Sequence, residues 1–362
     1  MRKNQLPAIA WEQGLPYLNH NYDILNFKNM MKNVLAKVLV FTAVVLLAVA
    51  CTKENVGNQK VAVLLPDASI IDRWAIDKAN LQSVMDKYGF NTTFYVAPET
   101  EAGAMQQVEQ LRQAISDGAK YIVVTAIDYK KINESKLLEQ NPDVKVVCHD
   151  RFILDNPNIA FISSTDTKEI GRIQAQFLLN HYHATGASTM TLEILEGPET
   201  DMNAKDYFEG AMVLLKKYID EGKLIVKSGK KTYNEVKTES WDAKDGKAAM
   251  EDRLSYYAEG ECPDMVLAAI DNQAQGAIEA MTEAGFAKMP VITGQDNSAT
   301  AQSNIKNHKQ TMTIDKNLKD MAYNTGLIVS NLITNSPIQT SQSISNIPVF
   351  YSKITLMTID SY

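Results

Sequence analysis

The chain has 362 residues, 45% hydrophobic and 22% charged, a globular composition with room for two domains and unlike that of a disordered protein. Its net charge is −7, and removing residues 1 to 50 takes away five basic and two acidic residues and brings it to about −10, which argues against nucleic acid as a partner. The three cysteines, Cys51, Cys148 and Cys262, form neither a CxxC pair nor a zinc-type spacing, so free thiols are expected at 148 and 262.

Residues 38 to 50 form an apolar run too short to span a bilayer comfortably, preceded by Lys32 and Lys37 and followed at once by Cys51. That pattern reads as an export signal. The segment Leu46-Leu47-Ala48-Val49-Ala50-Cys51 resembles the lipobox of bacterial lipoproteins, which implies that Cys51 is lipidated; Ala48 departs from the larger aliphatic residue usual at its place. Residues 1 to 29 carry no export logic, and Met30 or Met31 in place of Met1 would start a signal peptide of normal form. Residues 52 to 60 are polar and suit a flexible tether.

A strand and helix rhythm then begins. Strands are expected at 61–65, 92–96, 121–127, 144–148 and 159–163, with helices at 71–88, 102–115 and 132–138 between the first four. The pattern restarts with helices at 167–181, 204–218, 243–257 and 273–284 and strands at 189–195, 224–227, 265–269 and 290–293. Helix 300–308, strand 311–315, helix 318–334 and an irregular strand in 347–357 close the chain. Strands alternating with helices predict parallel, doubly wound sheets, and two such series predict two lobes.

Enzyme signatures are missing. Gly222 and Gly229-Lys230 fail the phosphate-loop spacing, and GxGxxG, GxSxG and HExxH do not occur. Polar and aromatic residues stand instead at the ends of strands, where an open α/β sheet meets its ligand crevice. Asp72-Arg73-Trp74 follows the first strand and Asp150-Arg151 the fourth; Asp201 and Asn203, Trp241, Asp271, Gly294-Gln295-Asp296 and Asp315-Lys316 follow later ones. An Asp offers only acceptors and an Arg only donors, so the adjacent pair Asp150-Arg151 can grip a hydroxyl that both gives and receives a hydrogen bond. Polyols ask for this.

The ordered series Arg73-Trp74, Asp150-Arg151-Phe152-Ile153, Asn203-Ala204, Tyr218-Ile219-Asp220-Glu221-Gly222-Lys223-Leu224, Gly294-Gln295-Asp296 and Thr311-Met312-Thr313 with Lys316 resembles the periplasmic sugar-binding proteins of type I fold, above all the xylose-binding and multiple-sugar-binding receptors of ABC transporters. The likeness runs from about Val61 to the end. It implies an α/β fold of two doubly wound, Rossmann-like lobes joined by a three-strand hinge. The chain would cross between lobes near Ser164, near Asp296 to Ser298 and near Asp315. The N-terminal lobe would then take 61–164 plus 297–314, the C-terminal lobe 165–296 plus 315–346, and 347–362 would be a tail after the upstream segment and signal (1–51) and tether (52–60).

The resemblance further implies that Arg73, Asp150, Arg151, Asn203, Asp296 and Lys316 hydrogen-bond a sugar, and that Trp74 and Trp241 lie against its apolar faces. Met202 and Ile270 depart from amides common in relatives, which leaves the identity of the sugar open. The implied protein is a monomeric, lipid-anchored receptor of the periplasm or cell envelope. It binds a pentose or hexose, needs no cofactor or metal, does no covalent chemistry and presents its closed form to an ABC permease or a sensor.

Overall fold

Val61-Ala62-Val63-Leu64-Leu65 is apolar on both sides of the chain, as suits a strand covered on both faces. In the computed structural model, which describes residues 59–362, this run is the buried middle of β1 (Lys60–Pro66). The signal segment, Cys51 and the tether up to residue 58 lie outside the described residues. There follow α1 (Arg73–Tyr88), β2 (Asn91–Ala97), α2 (Glu101–Ser116), β3 (Tyr121–Val124), α3 (Tyr129–Glu134), β4 (Lys145–His149) and β5 (Ile159–Ser164). Helix α1 stops where Gly89 turns left-handed at φ 74°, a conformation glycine adopts freely.

The second series is α4 (Thr167–Thr185), β6 (Met190–Leu195), α5 (Met202–Asp220), β7 (Leu224–Ile225), α6 (Tyr233–Val236), α7 (Ala243–Leu254), β8 (Met265–Ala268), α8 (Asp271–Glu283), β9 (Val291–Ile292), α9 (Ala299–Lys306) and β10 (Thr313–Asp315). Then come α10 (Leu318–Thr334), β11 (Ser343–Ile344), β12 (Ile347–Tyr351), β13 (Thr355–Met357) and a 3-10 turn at Ile359–Ser361. The first sheet runs β11-β12-β5-β4-β3-β1-β2, the second β7-β6-β8-β9, and β10 pairs with β13. Apart from the antiparallel β11–β12 and β10–β13 pairs, the strands are parallel, the doubly wound plan expected.

Each lobe buries a layer of side chains on both faces of its sheet. In the first, Leu64, Ile122, Val146 and Ile162 point to one layer and Val63, Val123, Val147 and Phe161 to the other. In the second, Leu192, Ile194 and Leu267 face α4 and α5, while Val266, Ala268 and Ile292 face α7 and α8. A further cluster joins residues of both lobes: Ile71 and Trp74 from the first meet Tyr207, Trp241 and Ile270 of the second.

The end of the chain is organised differently from the expectation. Segment 297–314 belongs with the second lobe: Thr311 and Met312 N–H donate to Ile292 O, and the Thr313 hydroxyl donates to Asp271. Helix α10 belongs with the first lobe, where Ala322, Ile328 and Val329 join Leu81 and Met85 of α1 and Val147 of β4 in one core. The expected tail is likewise split, since β12 extends the first sheet beside β5 and β13 pairs with β10. The crossings therefore fall after Ser164, after Asp315 and between Tyr351 and Thr355, and none falls at Asp296 to Ser298. Apolar periodicity marks which face of a helix is buried, but not which sheet it covers.

Candidate functional site

Strand geometry carries the site. Where β4 ends at His149, Asp150 takes a left-handed backbone (φ 63°), and Asp296, beyond β9, does the same at φ 98°. Such backbone costs a non-glycine residue of order 1–3 kcal/mol and persists only where the surroundings enforce it. Here Asp150 N–H donates to Ser163 O at 2.8 Å and its carbonyl accepts from the Ser164 hydroxyl at 2.6 Å. Asp296 N–H donates to Ile314 O at 2.9 Å.

The charges so placed interlock. Arg73, from the first turn of α1, lies 2.6 Å from Asp150 Oδ2, 2.9 Å from Asp77 Oδ2 and 3.2 Å from Asp296 Oδ1. Lys316 Nζ lies 3.2 Å from Asp296 and 3.6 Å from Asp150. Arg151 pairs with Glu99, and its Nε is 2.7 Å from Asp201 Oδ2. All of these groups except Asp296 are buried, and Asp296 has a side chain only 6% exposed. Burial alone would raise the Asp150 carboxyl, but Arg73 and Lys316 outweigh it and hold the group well below the usual carboxylate range. Burial disfavours the Lys316 ammonium, yet Asp150 and Asp296 raise it above its ordinary value.

Two tryptophans complete the walls. The Trp74 ring lies under the guanidinium groups of Arg73 (4.3 Å) and Arg151 (5.1 Å), and its Nε1–H donates to Glu99 at 3.1 Å. Trp241 donates from Nε1 to Asp201 at 3.1 Å and packs against Gly197, where a Cβ would stand 2.0 Å from the ring. Only glycine allows that approach.

Of the eight residues the sequence singled out, Arg73, Trp74, Asp150, Arg151, Trp241, Asp296 and Lys316 line one cavity between the lobes. Asn203 stands beside it and donates from Nδ2 to Asp150 O at 3.3 Å. Of the other residues around the site, the sequence placed Asp201 and Gln295 at strand ends without giving either a role, and it missed Glu99 and Tyr207. Glu99 follows the end of β2, so strand-end position could have found it; Tyr207 lies four residues beyond Asn203, on the same face of α5. Behind the site a buried line runs from Asp77 to His149 Nε2 (3.5 Å) and from His149 Nδ1 to the Thr325 hydroxyl (2.8 Å), tying Arg73 to α10.

About 10 Å³ remains inside this cavity, against about 300–1,000 Å³ for a small-molecule site, so a ligand has room there only when the lobes part. A larger groove of 760 Å³ runs alongside and shares Asp201 with it, but its lysines are spent on neighbouring carboxylates, Lys130 on Glu199 and Lys168 on Glu209. Convergent buried polar groups, not volume, make the smaller cavity the candidate site. Among the described residues no group of three or more His, Cys, Asp or Glu side chains is placed to hold a metal ion.

Residues 61–336 match the family model described as a periplasmic binding protein domain. The multiple sugar-binding periplasmic receptor ChvE of Rhizobium radiobacter is 29% identical over 255 residues, 69% of this chain and 71% of that protein. The D-xylose-binding periplasmic protein of Escherichia coli (strain K12) is 26% identical over 291 residues, 79% of this chain and 80% of its own length. Among solved structures, an ABC transporter solute-binding protein from Clostridium phytofermentans with bound β-D-glucose superposes with a TM-score of 0.79 at 26% identity, covering 84% of this chain and 95% of that one.

Proposed function

The chain belongs to the periplasmic binding protein domain family, and from that premise we propose that it is a sugar receptor that captures one monosaccharide between its lobes and delivers it to an ABC importer. The observation that carries the reading is the convergence of residues from both lobes on one cavity. Arg73, Asp150 and Arg151 come from the first lobe, Trp241 and Asp296 from the second, and Lys316 from a crossing. Carboxylates beside guanidinium groups offer paired acceptors and donors to ring hydroxyls, and Trp74 and Trp241 offer flat apolar faces to the C–H side of a pyranose.

Opening separates Arg73 from Asp296 and Arg151 from Asp201; a sugar entering there takes over these polar groups, and closure follows on it. The sugar shifts the open–closed equilibrium only by its differential affinity for the two forms, and the importer reads the closed one. Delivery to a sensor rather than an importer is the second reading, favoured by nothing in the site itself. The sugar leaves unchanged, because the residues that grip it are tied up in ion pairs and none is set as a nucleophile beside a base. Anchorage in the cell envelope through a lipid on Cys51 completes the proposal.

Two of the chain's three tryptophans, Trp74 and Trp241, line the cavity, so tryptophan emission reports occupancy. A saturable change on adding a pentose or hexose, with the sugar recovered intact, is the expected result. No change with any sugar, or conversion of the sugar to a product, contradicts the reading.

A further inference from the structure

The described residues contain five buried glutamines, and four of them are occupied with the fold. Gln107 donates to Thr125 O and accepts from Ile127 N–H; Gln174 donates to Ala269 O and Gly294 O; Gln273 donates to the Thr238 hydroxyl; Gln310 donates to Asp271. Gln295 differs. It is 0% exposed, and both its Oε1 and its Nε2 lack a hydrogen-bond partner, so the result does not depend on which way the amide is turned. Its backbone does structural work, since Gln295 O accepts from Asp271 N–H at 3.0 Å, but its side chain does none.

A buried amide with neither end satisfied is costly, and native structures keep few of them. This one is in the wall of the cavity, together with Ile270, whose side chain is apolar, and Asp296. From the other lobe, Arg73, which lines the same cavity, also has a buried Nε without a partner. We propose that Gln295 is a specificity-determining residue of the site, whose carboxamide donates to one sugar hydroxyl and accepts from its neighbour. This rests on the sugar-receptor reading and sharpens it: the preferred sugars carry adjacent free hydroxyls on the edge that faces β8 and β9. A single group that both gives and receives matches a vicinal diol and penalises a sugar lacking either hydroxyl.

The test is Gln295→Met in the full chain, which keeps side-chain length and removes both polar atoms. Without sugar, its Tm stays within about 2 °C of the wild type, because in the open form the amide faces water. The tightest sugar among xylose, arabinose, galactose, glucose, fucose and ribose binds it at least tenfold more weakly than it binds the wild type. A residue kept for packing or folding would lose stability instead. A Tm lowered by more than about 2 °C, or affinity within twofold, overturns the assignment. If the wild type binds none of the six, the sugar reading falls and takes the assignment with it; if the wild type binds and Gln295→Met binds within twofold, the assignment alone falls.

Discussion

Arg151 Nε lies 2.7 Å from Asp201 Oδ2, which ties the end of a first-lobe strand to the cap of a second-lobe helix. Asp201 spends its other oxygen on the N–H of Asn203 and shares Oδ2 with the Trp241 ring, so one carboxylate sets helix α5, a cavity wall and the contact between lobes.

Replacing Arg151 by alanine removes the cation from between Glu99 and Asp201 and leaves two buried carboxylates facing each other. Breaking a buried pair in this way costs about 3–5 kcal/mol, so the variant folds with a lower Tm and binds sugar at least tenfold more weakly. Calorimetry beside thermal unfolding checks both. Unchanged affinity in a folded variant would remove Arg151 from the site.

Gly197→Ala acts on the opposite wall. The new methyl has no room beside the Trp241 ring, and overpacking of this kind costs about 1–3 kcal/mol. Trp241 is pushed from its place on Asp201, and sugar affinity falls at least tenfold with a changed tryptophan emission. Wild-type emission together with wild-type affinity would show that Trp241 does not need the glycine.

Asp271 stands behind Asp296, and burial, reinforced by the Asp296 charge, pushes its carboxyl up to about 7. An acid whose pKa is raised on folding holds its proton in the native state after the unfolded chain has lost it. Between pH 4 and pH 7 the native state therefore binds more protons, and the stability due to this group falls as pH rises, levelling off above about 7. Asp271→Asn removes that slope, so the Tm of the wild type minus that of the variant declines from pH 4 to pH 7. A difference that is flat or rises across the window contradicts the assignment.

Glu196, at the end of β6, is 0% exposed, both its carboxylate oxygens lack partners, and burial holds its carboxyl well above the usual range. The same sign applies. Glu196→Gln abolishes the ionisation and is expected to raise stability most at alkaline pH, with sugar affinity within twofold of the wild type. A loss of stability there would mean that the carboxylate is satisfied by contacts other than those described.

Much of this was legible in the chain itself. Continuous apolar runs such as Val61–Leu65 and the charges that end them announce covered parallel strands and a ligand edge, and seven of the eight residues that the family resemblance implied meet in one cavity. What failed to show was partnership. Nothing in the spacing of Arg73, Asp77 and Asp150 says that one guanidinium is shared among them; Glu99 looks ordinary, and Gln295 is one of several strand-end residues without a role, until the lobes face each other. The last segments were misassigned for a related reason: β10 and β13 are three residues each, too short for a period to show, and their pairing joins positions some forty residues apart.

Titration calorimetry of the chain against xylose, arabinose, galactose, glucose, fucose and ribose tests capture of a monosaccharide most directly. The account predicts saturable one-to-one binding of at least one of them, weakened at least tenfold in Arg151→Ala. Absence of heat across the whole panel, at protein concentrations where the fold is intact, would contradict it.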